Sequence, residues 1–258
     1  MNTATAEKQN KIMYISQAEN FSKIPGSPVA YWLCEQWFLV FEKSQTLRET
    51  NEMKKGTSTG NNERFMRMWF EVINIKLKTN CKTPIEAQES ERKWFPINSG
   101  GEARKWYGNR WYVVNWENDG YEMKNNAIQL NNGGHWSRYI VSPDKFFKDN
   151  ITWSAISSSK LTVRYSGNGF VFSSAAMEVF GGDLNYIMGL LNSVVADDIL
   201  KLLAPTINFG VEQVGAIPLK RIGNTKIIGD VTEKNISISK SDWDSFETSW
   251  DFKKHPLI

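Results

Sequence analysis

The chain has 258 residues, 41% of them hydrophobic and 13% aromatic, which is enough to bury one large core or two modest ones. Its 31 basic and 28 acidic residues leave a formal net charge of +3, so the composition permits a nucleic-acid partner without requiring one. Two cysteines, Cys34 and Cys81, do not suggest a disulfide framework or a thiolate metal site, and no apolar run approaches the roughly 18 residues that cross a membrane. Because the polar start at Met1 to Ala4 is also unlike a signal peptide, we expect a cytoplasmic protein.

The first part of the chain is predicted to be helical. A helix is expected from Ser27, as N-cap, to about Phe41, because apolar side chains recur on one face at Tyr31, Cys34, Trp37, Phe38 and Phe41. The small and polar loop 56–62 precedes a second predicted helix, which carries Phe65, Met68, Trp69 and Val72. Between Thr79 and Arg92 the chain turns polar, and this stretch is the best candidate for a domain boundary.

The middle of the chain, from Trp94 to Phe172, is dense in aromatic residues, asparagine and glycine. Short β-prone segments occur within it, at 111–114, 139–141, 161–165 and 170–172. We interpret this part as a twisted sheet with long loops.

The last part of the chain carries the strongest helical pattern, which runs from Asp183, as its N-cap, to Leu203. Two short segments after it, 215–219 and 226–228, are predicted as strands. The tail from Ser241 onward is aromatic and acidic, with Trp243, Phe246 and Trp250 at a spacing compatible with a helix. These patterns predict an α+β fold, in which a helical N-terminal segment precedes a mixed, mainly antiparallel β domain with a long packing helix.

Several chemistries need residues that this sequence does not contain. Transfer of a methyl group to an exocyclic base amine uses an Asn/Asp-Pro-Pro-aromatic motif, and no Pro-Pro occurs here. A glycine-rich loop after a strand, as used for an adenosyl cofactor, is not predicted either. The two histidines, His135 and His255, are too few for a multi-histidine metal site and make a histidine-based triad improbable. We therefore expect no catalysis, no cofactor and no metal in this chain alone.

Loops of the aromatic region combine cations, amides and aromatic rings. In the segment from Gly100 to Asn109 two cations stand beside two aromatic residues; cations fix a protein to phosphates, and arginine also pairs with guanine. Asparagine side chains suit adenine edges. The residues predicted to contact DNA are Arg104, Lys105, Trp106, Asn109, Asn115, His135, Arg138, Lys160 and Arg164. Clusters of Trp, Tyr and Arg also mark protein interfaces and cores, so the residues alone leave both alternatives open.

Several strings in the chain, many of them bearing tryptophan, are long enough to be specific. They are 56–65, 93–96, 100–109, 113–120, 151–157, 189–193, 205–209 and 243–250. Through them nearly the whole chain resembles the C-terminal, target-recognition part of the PglX family, the adenine-specific DNA methyltransferases of BREX phage-defence systems. More distantly, it resembles the specificity regions of type IIG restriction-modification enzymes.

The resemblance implies a DNA sequence-recognition domain that works within a larger enzyme. In that family a catalytic domain precedes this region and uses S-adenosylmethionine, so we expect the chain to begin after catalysis ends, as a fragment or a split subunit. The implied partners are double-stranded DNA and a methyltransferase catalytic domain, in cis or in trans. A loop with Thr57, Thr59, Asn61 and Asn62 would face the DNA or that catalytic domain. The implied units are 1–90, a helical spacer or connector, 91–240, the DNA target-recognition domain, and 241–258, the start of a C-terminal helical tail.

The alternative function is protein interaction. Exposed aromatic residues would then dock other BREX subunits or a phage inhibitor instead of DNA. The two functions differ in what a substitution of a basic residue changes, which is either the methylated DNA motif or the assembly of the complex.

Overall fold

The computed structural model describes residues 16–157, 160–220 and 225–257. The polar start at Met1 to Ala4 lies outside the described residues. The chain forms two compact units that divide between Ser44 and Gln45.

The described part of the N-terminal unit, 16–44, contains two helices, α1 (Ala18–Phe21) and α2 (Glu35–Lys43). Helix α2 buries Phe38 and Phe41, as the sequence pattern predicts, and the Phe38 ring lies 6.3 Å from that of Phe21. The helix begins later than predicted, because Ser27 adopts a left-handed φ of 48° and the N-cap position falls on Cys34. A residue with positive φ cannot belong to a right-handed helix, so Ser27 lies in the turn that precedes α2.

The larger unit is built on two four-stranded sheets. In chain order the strands are β1 (Glu52–Lys55), β2 (Met66–Met68), β3 (Trp94–Asn98), β4 (Tyr112–Asn115), β5 (Asn150–Ser154), β6 (Val163–Tyr165), β7 (Val171–Phe172) and β8 (Ala176–Phe180). One sheet has the order β1-β8-β5-β6 and the other β2-β4-β3-β7. The β3–β7 pair is parallel and the other strand pairs are antiparallel, which confirms the predicted mixed, mainly antiparallel α+β fold.

Eight helices of the described residues belong to this unit. They are α3 (Leu47–Thr50), α4 (Asn62–Phe65), α5 (Pro84–Glu89), α6 (Glu117–Leu130), α7 (Leu184–Leu191), α8 (Val194–Leu203), α9 (Val211–Gly215) and α10 (Thr225–Trp243). Helix α10 packs on α7, where Gly189 lets the two helices approach closely. A Cβ at that glycine would lie 2.7 Å from Oγ1 of Thr232, so any larger residue would push the helices apart.

Two cores hold these layers together. Met123 and Ala127 of α6 are buried with Phe95 of β3 and with Phe146 and Phe147. The ring of Phe172 in β7 lies 5.7 Å from that of Phe180 in β8, and this contact joins the two sheets. On the other sheet Trp153 is completely buried, and its Nε1 donates to the carbonyl of Phe209 at 2.8 Å. No helix in the described part of the chain is long and apolar enough to cross a membrane.

The structure corrects two of the predicted helices. The helix predicted after loop 56–62 is a single turn, α4, after which Met66–Met68 pairs with β4 as an edge strand. The long helix predicted from Asp183 to Leu203 is two helices, because Asn192 turns its side chain to the backbone of Val163 and Ser193 caps α8.

Three predicted strands and the predicted helical tail are also corrected. Residues 139–141 follow a 3₁₀ turn at Trp136–Arg138 and form no strand, while 215–219 contains the end of α9 and one isolated bridge from Pro218. Residues 226–228 lie inside α10, since packing on α7 outweighs the β preference of two isoleucines. After Trp243 the described residues, to 257, form turns instead of a helix.

Candidate functional site

Loops from both sheets meet at one edge of the larger unit. The backbone N–H of Thr57, just after β1, donates to the carbonyl of Phe172 at the end of β7, and the N–H of Ser173 donates to the carbonyl of Asn98 at the end of β3. Beyond β5, the N–H of Ala155 donates to the carbonyl of Ala175. We call this edge, with segments 56–61, 99–111, 155–157, 160–162 and 173–175, the loop edge. It gathers most of the residues that the sequence singles out.

The segment 99–111 is held by its own contacts. Arg104 donates from Nε to the carbonyl of Tyr107 at 2.9 Å, and Asn109 donates from Nδ2 to the carbonyl of Glu102 at 2.8 Å. Lys105 donates from Nζ to the carbonyl of Asn192 at 2.7 Å, which ties it to the end of α7. These contacts tie the segment to itself and to the end of α7.

Helix α10 also contacts the 99–111 segment. The guanidinium of Arg104 lies 5.1 Å from the ring of Trp243, and its Nη2 is 2.5 Å from Oδ2 of Asp242. Lys240, one turn earlier, donates to the Tyr107 hydroxyl at 3.3 Å. A cavity of about 480 Å³ opens beside Arg104 and is lined by Asn109, Trp243 and residues of Gly100–Ala103, among others.

A second group of predicted residues lies against loop 56–61. Both the hydroxyl of Thr57 and the N–H of Ser58 donate to the carbonyl of Tyr139, at 2.9 and 2.8 Å, which brings the 131–139 segment to the loop edge. There Arg138 is exposed and donates from Nη1 to Oδ1 of Asn131 at 3.0 Å. His135 is exposed and stacks 4.6 Å from the ring of Trp136.

The remaining residues of that contact loop are split between surface and interior. Thr57 and Thr59 are buried, whereas Asn61 and Asn62 are exposed. Asn61 caps α4 by accepting from the N–H of Arg64 at 3.0 Å. The exposed amides can meet a partner, and the two threonines hold the loop in place.

The structure places Arg164 and Asn115 in the interior, which corrects their expected role as surface contacts. Asn115 is 3% exposed, lies at the end of β4 opposite the loop edge, and accepts from the N–H of Glu117. Arg164 is 2% exposed on β6, where burial lowers its pKa to about 10. The backbone of Trp106 bonds to the two neighbours of Arg164, Val163 and Tyr165, so Trp106 of the 99–111 segment pairs alongside Arg164 at the edge of the sheet.

A buried carboxyl group lies on the same sheet face as Arg164. The cross-strand partner of Arg164 is Thr152, and the next partner in that row is Glu178 of β8. Glu178 is completely buried and accepts from Nδ2 of Asn98 at 2.6 Å. Burial raises the pKa of Glu178 well above its ordinary value, against the smaller lowering effect of that hydrogen bond.

Lys160 is the last of the predicted contacts. It is exposed and pairs with Asp197 of α8, with Nζ 3.0 Å from Oδ2. The structure therefore brings Arg104, Lys105, Trp106 and Asn109 together, sets His135 and Arg138 beside loop 56–61, and leaves Asn115 apart.

Sequence reasoning missed the α10 residues Lys240, Asp242 and Trp243 as neighbours of this site. The available signal was chemical: the tail from Ser241 is acidic and aromatic, and the 100–109 segment is basic and aromatic. Nothing in the spacing pairs Arg104 with a residue 138 positions away.

Two glycines stand at the start of this segment. Gly100 and Gly101 come soon after β3, a strand that the sequence did not predict. The chain then runs irregularly to β4, without the helix whose N-terminus would hold the phosphate or cofactor. In the described residues no group of three or more His, Cys, Asp or Glu side chains is arranged to hold a metal ion.

Comparison with known proteins agrees with the resemblance seen in the sequence. The chain is 38% identical over 260 residues to the adenine-specific methyltransferase PglX of Lacticaseibacillus casei (strain Zhang), a match over 99% of this chain. It is 35% identical over 244 residues to the adenine-specific methyltransferase BrxX of Escherichia coli O9:H4 (strain HS), over 93% of this chain. The chain is homologous to part of the PglX and BrxX methyltransferases.

This homology covers a limited share of those relatives. The chain spans 21% of the length of PglX and 18% of that of BrxX. No model of a protein family matches the chain. A solved structure of the type IIL restriction-modification enzyme MmeI in complex with DNA has a similar fold, with a TM-score of 0.54 and 15% identity, over 83% of this chain and 31% of that one.

Proposed function

We propose that this chain is a DNA sequence-recognition domain of an adenine-specific methyltransferase of the BREX or restriction-modification type. The observation that carries the proposal is the loop edge, where segments of both sheets present cations and amides on one side. Homology to PglX and BrxX and the fold shared with MmeI, whose structure was solved with DNA, support it.

The side chains proposed to meet DNA are those that the loop edge exposes. Arg138 and His135 reach the surface beside the exposed amides of Asn61 and Asn62, and Arg104 with Asn109 lines the cavity on the other side. Arginine can bind a phosphate or pair with guanine, and asparagine pairs with adenine in the major groove. Thr57 is buried and holds its loop through the carbonyl of Tyr139, and the backbone of β6 holds Trp106.

Binding should depend steeply on salt, because each neutralised phosphate releases counterions. The test is a salt series of DNA binding by the whole 258-residue chain, with wild type and Arg138→Gln. Arg138→Gln should weaken binding and reduce the log–log salt slope by about one unit if it contacts a phosphate. Arg48→Gln is the matched control, because this exposed arginine precedes β1, at the end opposite the loop edge. Absence of salt-sensitive binding by the wild-type chain would contradict the proposal.

Base reading needs a separate measurement. In a full-length methyltransferase that contains this region, Asn109→Ala should change the DNA motif that is methylated. A genome-wide map of methylated adenines detects such a change. An unchanged motif with reduced methylation everywhere would mean that Asn109 positions the DNA and does not read it.

We also propose that the chain reads DNA without transferring the methyl group. The donor of the whole enzyme, S-adenosylmethionine, would bind residues outside this chain. Incubation of the pure chain with DNA and a labelled donor should give no incorporation, and incorporation would refute this part.

A second candidate function, docking of another protein, is favoured by one observation. Phe70, Ile73 and Ile75 follow edge strand β2 and are 56, 68 and 69% exposed, an unusual local density of exposed apolar side chains. Substituting the three residues with serine should leave DNA binding by the chain unchanged. If assembly with the rest of the methyltransferase or with other defence subunits is lost, this surface is a docking site.

A further inference from the structure

The anchoring of Arg104 makes a site for an anion. Its Nε is fixed by the carbonyl of Tyr107, and its guanidinium plane lies over the ring of Trp243. Both contacts leave the outer edge of the guanidinium, with Nη2, free to bind an anion. A planar guanidinium held in this way is preorganised for an oxyanion such as a carboxylate or a phosphate.

In the structure that anion is the carboxylate of Asp242, with Oδ2 2.5 Å from Nη2 of Arg104. Asp242 stands in the last turn of α10, where the negative end of the helix dipole disfavours a carboxylate. The carboxylate of Asp242 is therefore stabilised at this position by its partner, Arg104, and not by the helix. The pair is open to water, since the side chains are 34% and 59% exposed.

An ion pair of this exposure is easily exchanged, because half-exposed pairs contribute little stability. The cavity of about 480 Å³ beside Arg104 leaves space for another group to approach. A DNA phosphate presents the same charge and oxygen geometry as the carboxylate, with more acceptor oxygens.

We propose that Asp242 occupies, in the free protein, the place of a DNA phosphate on Arg104, and that DNA binding exchanges the carboxylate for the phosphate. This inference rests on the proposed DNA-recognition function. The exchange sets a threshold: DNA that does not bring a phosphate to this position leaves Arg104 paired with Asp242, and is bound without this contact.

The experiment measures DNA binding by the whole chain, by fluorescence anisotropy with a labelled duplex, at several salt concentrations. Asp242→Asn should tighten binding about two- to five-fold, the range expected for releasing a half-exposed ion pair. The gain should be largest at low salt, because salt weakens the competing pair in the wild type. Arg104→Gln should weaken binding and reduce the salt slope by about one unit.

The matched control is Glu212→Gln. It removes one carboxylate from another exposed arginine pair, Arg48 and Glu212, with the same N–O distance of 2.5 Å but at the opposite end of β1. If general charge were the cause, Glu212→Gln and Asp242→Asn would tighten binding equally, which would overturn the proposal. The gain from Asp242→Asn should also disappear in the background of Arg104→Gln, and its persistence there would overturn the proposal.

Circular dichroism and thermal melting check that each variant is folded. If Asp242→Asn is not, Arg104→Gln still decides: an unchanged salt slope in that variant overturns the exchange. Failure of the underlying function looks different. If the wild-type chain has no salt-sensitive DNA binding, the recognition function and the exchange both fall; if it binds but Asp242→Asn behaves like Glu212→Gln, only the exchange falls.

Discussion

The buried carboxyl of Glu178 makes the stability of the protein depend on pH. Because burial raises its pKa well above 4.5 in the folded chain, Glu178 stays protonated there while the unfolded chain ionises. Between the unfolded and the folded pKa, unfolding therefore releases one proton. The contribution of this group is fully present below the unfolded pKa and is lost as pH rises towards and through the folded pKa.

The size of the effect follows from this proton. In that pH window the free energy of unfolding falls by about 1.4 kcal/mol for each pH unit. Total stabilities of domains are about 5–15 kcal/mol, so each pH unit within that window removes an appreciable part. Glu178→Gln keeps an oxygen that can accept from Asn98 and removes the titration. We expect the variant to gain on the wild type by about 1.4 kcal/mol per pH unit.

The assay is urea denaturation of wild type and Glu178→Gln at about pH 5, 6 and 7, with the free energy extrapolated to water. Glu212→Gln, in which the lost carboxylate is 77% exposed, is the control for removing any acid. If the Glu178 and Glu212 variants have the same pH slope relative to wild type, the reasoning about burial is refuted.

Three further predictions follow from local packing. Gly56→Ala should destabilise the chain by about 3 kcal/mol, because the new Cβ would lie 2.0 Å from a backbone oxygen. Gly181→Ala should cost about 1 kcal/mol, because the site has open space and only its positive φ of 75° opposes a side chain. Equal losses of stability in thermal melts would contradict this reasoning. Exposed Cys34 should react quickly with a thiol reagent, whereas Cys81 should react only after unfolding, because it is buried and burial raises its pKa to about 11. Fast reaction of both thiols in the folded protein would be the contrary result. Asn192→Ala should cost about 2–4 kcal/mol, because its amide bonds both the N–H and the carbonyl of one β6 residue, and a loss under about 1 kcal/mol in urea melts would refute that.

The parts of the fold that could be predicted from sequence are those fixed by local pattern. The apolar face of α2, the strand at 112–115 and the helical content of 184–203 all follow from residue spacing. The break between α7 and α8 also had a signal, Asn192 followed by Ser193, an amide and a capping hydroxyl within a helical run. That signal is readable only when the strand to which Asn192 bonds is known.

Helix α6 could not be predicted because its sequence favours turns. Near its start Asn118, Asp119 and Gly120 all have positive φ and form a left-handed turn, after which the regular right-handed helix runs to Leu130. Asparagine, aspartate and glycine tolerate that conformation, so the turn is local, but the helix after it depends on burying Met123 and Ala127 against the core. Tertiary packing decides such a segment and local propensity does not.

The candidate site divides in the same way. The basic and aromatic content of 100–109 was visible in the sequence, and so were the exposed Arg138 and His135. The sequence did not show which cations already have partners within the protein, because the partners of Arg104 and Lys105 lie 138 and 87 positions away. Burial of Arg164 depends on the pairing of Trp106 with β6 at the edge of the β1-β8-β5-β6 sheet, which no spacing of residues encodes.

The conformation of the 99–111 segment links these contacts to recognition. Trp106, Gly108 and Asn109 have φ values of 72°, 119° and 58°, so three of four successive residues are left-handed. Each such conformation costs about 1–3 kcal/mol for a residue with a side chain and persists only when its surroundings hold it. Here the β6 backbone holds Trp106, and the side chains of Arg104 and Trp243 close over Gly108, at whose Cβ position no side chain would fit. In the DNA-recognition function proposed above, a loop that is already ordered would lose little conformational entropy on binding DNA, so its contacts would serve to distinguish one base sequence from another.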